Sequence, residues 1–125
     1  SFVLNIDLGF GVHKLESVRL ANLNCPETRG VESVAGMYVL ALVNDWIEQR
    51  SAKRECILHS CEFRTGKFGR CIADIFIGDE SLNNYLLSKR LAWRCDSDGR
   101  LQESRTVESL ALPDPVKQAV RERDI

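Results

Sequence analysis

Three short stretches hold most of the side chains suited to chemistry. The first is Val18-Arg19-Leu20-Ala21-Asn22-Leu23-Asn24-Cys25-Pro26-Glu27-Thr28 and the second is Lys67-Phe68-Gly69-Arg70-Cys71-Ile72-Ala73. The third runs from Ser81-Leu82-Asn83-Asn84-Tyr85-Leu86-Leu87 to Leu91-Ala92. A guanidinium presents paired donors in a planar fork that matches phosphate or carboxylate oxygens. A carboxylate beside a water orients it or takes its proton. Arg19, Arg70 and Glu27 are the residues of these two types in the first two stretches. Taken singly, each has a plain structural explanation. Arg19 reads as a strand arginine in a surface ion pair, Arg70 as the end of a hairpin, and Glu27 as a carboxylate favoured by a helix N-terminus. Cys56, His59, Cys61 and Cys71 form a further set, but their spacing is not that of a zinc finger or ribbon.

The elements that must position these residues follow from periodicity. Strand-like runs cover residues 2–6 and about 13–23, separated by the Gly9-Phe10-Gly11 turn or bulge signal. The second run ends at Asn24-Cys25-Pro26, because proline removes a ladder donor and restricts the residue before it. Arg19 and Asn24 are an odd number of residues apart, so a regular strand would point them to opposite faces. If both line one pocket, the chain bends between them. Residues 31–50 predict the clearest helix, with Val31, Val34, Ala35, Tyr38, Val39 and Leu42 opening an i, i+3, i+4 stripe that continues through Trp46 and Ile47. Met37 and Leu40 widen that stripe and predict burial on more than one side. Strands over 54–61 and 71–77, joined by the Thr65–Gly69 loop, predict a hairpin. A second helix follows, capped by Asp79 or Ser81 and turning Leu82, Tyr85, Leu86 and Leu91 inward. After the polar break at Cys95–Gly99, Asp114-Pro115 predicts a last helix, in a charged tail expected to dock loosely.

The three stretches, in this order and spacing, resemble the staphylococcal nuclease (thermonuclease) family over most of residues 1–95. That resemblance implies an α+β, mainly β fold: an oligonucleotide-binding Greek-key barrel with two or three helices. It implies a domain over 1–98 with a helical tail over 99–125. The implied activity is calcium-dependent hydrolysis of DNA and RNA, with Arg19 and Arg70 clamping the phosphate and Glu27 handling the attacking water. Lys67 and Phe68 would contact the substrate. The sequence departs from the family pattern twice. Asn24 stands where the family has an aspartate, which removes a charge from the implied calcium site and predicts weaker affinity. The family's first strand and its Asp-Gly-Asp would precede Ser1; Asp7 reads either as a substitute ligand or as a turn residue. The hydrolase is therefore expected to be weakened or lost. The alternative is a catalytically degenerate barrel that binds nucleic acid or protein. A barrel short of one strand also predicts association into a homo-oligomer through the exposed edge. Trp93 reads as either a base-stacking or a packing residue.

Composition sets outer bounds. The 125 residues, 44% hydrophobic and 28% charged, suit one folded domain, and no apolar run reaches membrane-spanning length. Seventeen basic against eighteen acidic residues leave a net charge of -1, so any grip on a polyanion depends on local arginine placement or a bound cation. Five cysteines, without a Cys-x-x-Cys pair, exclude a complete disulfide framework within one chain. They point weakly to a reducing compartment such as the cytoplasm and leave location open.

Overall fold

In a computed structural model of the chain, residues 2–51, 56–63, 71–96 and 98–123 are described; side chains are described for these residues except 2–8, 16, 51, 56–63 and 71. Strands β1 (Phe2–Gly9) and β2 (Val12–Leu20) form an antiparallel hairpin whose register shifts between Asp7 and Gly9. The chain turns into the two-residue strand β3 (Leu23–Asn24), then through a single 3-10 turn into helix α1 (Ser33–Ser51). Strands β4 (Cys56–Phe63) and β5 (Cys71–Ile77) are antiparallel, as expected. Strand β6 (Glu80–Ser81) leads into α2 (Leu82–Ser88), and β7 (Trp93–Arg94) pairs back with β3. The tail ends in α3 (Asp114–Arg123), starting at the expected Asp-Pro.

The main sheet runs β1-β2-β5-β4, with β6 pairing on β5. Strands β2 and β5 are parallel, a pairing that demands a long crossover, and α1 lies within it. The molecule is α+β. Its described strands form an open sheet with β1 and β4 at the edges, and no closed barrel is formed among them. Among the described residues no helix is long and apolar enough to cross a membrane.

Helix α1 lays Ala35, Val39, Val43 and Trp46 into the core, the spacing of three and four residues that its sequence carries. Its first apolar positions depart from expectation: Val31 lies in the 3-10 turn and is exposed, as is Met37. Leu82, Leu86 and Leu91 pack from the other side, with Tyr85 half-buried at 5.9 Å from the Trp46 ring. Ser81 is the cap that forms, accepting from Asn84 N at 3.1 Å. The expectation of a loosely docked tail is corrected. Val107, Leu110 and Leu112 are buried in the same core cluster, and Val116 and Val120 of α3 pack against it. These apolar residues are spaced irregularly among charges, so the tail shows no periodic stripe before it meets its partner surface.

Candidate functional site

Strand β2 delivers Arg19, paired in parallel register with Ile72 of β5. Immediately after β2 the chain swings through Ala21-Asn22, where Asn22 adopts φ 65°, a left-handed conformation that asparagine tolerates well. This is the bend that the spacing of Arg19 and Asn24 requires. The turn is fastened to β5: Ala21 N donates to Ala73 O at 2.8 Å. Asn83, buried on α2, donates through Nδ2 to Ala21 O at 3.0 Å and Ala73 O at 3.2 Å. Arg19 and Asn24 then line one cavity of about 460 Å³, together with Glu27, Arg29 and Gly36. That volume is within the range of small-ligand sites. Arg19 is half-buried there, and its guanidinium makes no hydrogen bond or ion pair with the described residues, in contrast to those of Arg50, Arg90, Arg105 and Arg121, each bonded to a glutamate.

The position of Glu27 is set from two sides. A Cβ at Gly36 would stand 2.1 Å from Glu27 O and 2.7 Å from Thr28 N. Helix α1 therefore lies directly against the Glu27–Thr28 peptide, an approach that only glycine permits. On the other side, Glu27 N donates to Glu32 Oε1 at 3.0 Å. The glycine inside an otherwise apolar helical run was the available sequence signal for this contact.

Glu32 is in turn held by the tail. Arg105 forms a two-pronged pair with it, Nη2 reaching Oε1 at 3.0 Å and Nη1 bonding Oε2. The same guanidinium donates through Nε to Asn24 Oδ1 at 3.2 Å and through Nη2 to Cys25 O at 3.5 Å. It also lies over the Trp93 ring, 4.4 Å from Cζ to the centroid, a cation–π contact. Burial pushes the Glu32 carboxyl upward, but the hydrogen bonds from Arg105 and Glu27 N and the Arg105 charge outweigh it, and its pKa lies below the ordinary 4.5. Trp93 is fully buried, with Nε1 donating to Thr106 O and Ser109 Oγ at 3.1 Å each. It is a packing residue, not a base-stacking one. Neither Arg105 nor Glu32 carries a local sequence signal, because they meet across 73 residues.

Of the residues singled out from the sequence, Arg19, Asn24 and Glu27 come together at the cavity. Arg70, Lys67 and Phe68 lie outside the described residues, as do the side chains of Cys56, His59, Cys61 and Cys71. The surroundings of Asn24 do not fit a divalent cation. Its Oδ1 already accepts from Arg105, and an ion on that oxygen would stand roughly 5 Å from the guanidinium charge. At an effective dielectric of about 20, that repulsion is on the order of 6 kcal/mol. Among the described residues no group of three or more His, Cys, Asp or Glu is placed to hold a metal ion. The two described cysteines offer no nucleophile either. Burial pushes the Cys25 thiol up to about 11 and that of Cys95 upward too, the latter against the pull of the Arg19 charge.

A comparison with curated proteins finds no match. The family model described as staphylococcal nuclease homologue matches residues 17–118, from the strand that carries Arg19 through the first turns of α3. Because that match spans most of the chain and takes in Arg19, Asn24, Glu27 and the Arg105 tail together, the protein belongs to the staphylococcal nuclease family.

Proposed function

We propose that this domain binds the phosphodiester backbone of DNA or RNA in the Arg19–Glu27 cavity, and that hydrolysis there is at most weak. The observation that carries this reading is Arg19, a half-buried cation without an internal partner among the described residues, at the wall of a ligand-sized cavity. Among the described residues, the half-buried arginines Arg50, Arg90 and Arg105 are each neutralised by a glutamate, which leaves the Arg19 guanidinium, with the exposed Arg29 beside it, to meet an anionic ligand at the cavity. Glu27 lines the same cavity, with no side-chain partner among the described residues, and is the group to orient a water. Arg70 joins Arg19 on the phosphate, with Lys67 and Phe68 along the strand; these three roles rest on the resemblance alone. The family match supports nucleic acid as the partner.

A pure binding module is the second reading, favoured by the Arg105–Asn24 hydrogen bond, which removes an oxygen from any calcium site. In either case we read the sheet as an oligonucleotide-binding barrel opened between β1 and β4, the edges through which two copies would associate.

The test combines binding and nicking of single-stranded DNA by the wild type, Arg19→Ala, Arg70→Ala and Asn24→Asp, with calcium present. Binding by the wild type and a loss of about tenfold in Arg19→Ala, equivalent to about 1.4 kcal/mol, are expected. Nicking is expected to be low. Unchanged affinity in Arg19→Ala would remove the basis for the reading.

A further inference from the structure

Four oxygens of the 24–32 segment converge on one guanidinium. Asn24 Oδ1, Cys25 O, Glu32 Oε1 and Glu32 Oε2 all accept from Arg105. One carboxylate, one amide oxygen and one peptide carbonyl around a single positive charge form the donor set of a hard divalent cation. Here the charge is part of the chain, and the Trp93 ring covers it. The clasp reaches Glu27 through one further bond, because Glu32 Oε1 also accepts from Glu27 N.

We propose that Arg105 is a built-in cation: it organises the 24–32 segment in place of a divalent ion, so that the cavity grips a phosphodiester backbone without calcium. The second clause rests on the proposed function; the first does not. Arg105 acts through Asn24, Glu32 and the Glu27 backbone, and is a positioning residue. Because its guanidinium is covalently attached, the segment has its shape before any ligand arrives, a preorganisation that a dissociable ion cannot supply.

The test uses the full chain and two probes, calcium chloride and a fluorescent single-stranded oligonucleotide. Thermal unfolding with and without calcium reads the first clause. Oligonucleotide anisotropy in chelator and in millimolar calcium reads the second. For the wild type, calcium is expected to leave Tm unmoved and to change affinity by less than about twofold. Arg105→Gln is expected to weaken binding about tenfold or more in chelator. In the Asn24→Asp/Arg105→Gln double variant, calcium is expected to raise Tm and recover affinity, because a vacated oxygen cluster with an added carboxylate then takes the ion. Arg105→Lys keeps the charge while losing the fork. It provides a folded comparison should Arg105→Gln not fold, and is expected to bind the oligonucleotide without calcium.

A calcium-dependent rise in wild-type Tm would overturn the built-in cation. Wild-type affinity that climbs about tenfold with calcium would overturn the calcium-free grip. If the folded wild type does not bind the oligonucleotide in either condition, the proposed function fails and takes the second clause with it. The Tm comparison still decides the role of Arg105.

Discussion

Substituting Gly36 by alanine pits a helix preference against a site contact. Alanine in a helix interior is favoured over glycine by about 1 kcal/mol. At position 36, however, the new Cβ would stand 2.1 Å from Glu27 O and 2.4 Å from Glu27 C, against an ordinary contact of 3.4 Å or more. Helix and peptide must part by at least about 1 Å, and overpacking of this kind costs roughly 1–3 kcal/mol. Net stability is thus expected to fall by about 0–2 kcal/mol, a loss that leaves the protein folded. The same displacement acts fully on the site, since a misplacement of about 1 Å costs on the order of 10²-fold where geometry governs the chemistry. Gly36→Ala is therefore expected to separate function from stability: a small drop in Tm by circular dichroism, with a loss in oligonucleotide affinity from the displaced cavity wall and a much larger one in any residual nicking. A raised Tm with unchanged affinity would refute the reasoning, because it would mean that α1 does not bear on the Glu27–Thr28 peptide.

Asn83→Ala is expected to destabilise by roughly 2–4 kcal/mol in urea unfolding, because it leaves Ala21 O and Ile75 N without their buried partner. Glu32 has a pKa lowered in the folded state, so its contribution is complete above the unfolded value near 4.5 and is lost as pH falls through the folded one. Stability measured from neutral pH downward is expected to drop on the acid side of 4.5, and Glu32→Gln to flatten that slope. The edges left open among the described strands, at β1 and β4, predict self-association, checked by light scattering on the purified chain; a strictly monomeric solution state would count against it.

Much of the framework was legible in the sequence because its determinants are local. The apolar rhythm of α1 and the Gly9–Gly11 turn lie within a few residues of what they organise. So do the Ser81 cap and the bend forced between Arg19 and Asn24. Three ordered stretches were enough to carry the family resemblance, and the match over residues 17–118 agrees with it. Barrel closure was not legible in the same way, because it depends on which distant strands find each other, and the described strands form an open sheet.

The sequence alone determined which residue types are available for the site: a guanidinium at 19, a carboxyl at 27 and an amide, not a carboxylate, at 24. Only the tertiary structure decided what Asn24 faces. Its partner Arg105 lies 81 residues away in a charged stretch that has no pattern of its own. Such a partner is selected by packing: Trp93 is sealed beneath the tail, the tail crosses the 24–32 segment, and the guanidinium meets the oxygens that packing has left facing it. Periodicity and capping report a residue's neighbours along the chain, whereas these contacts exist only after the core has closed.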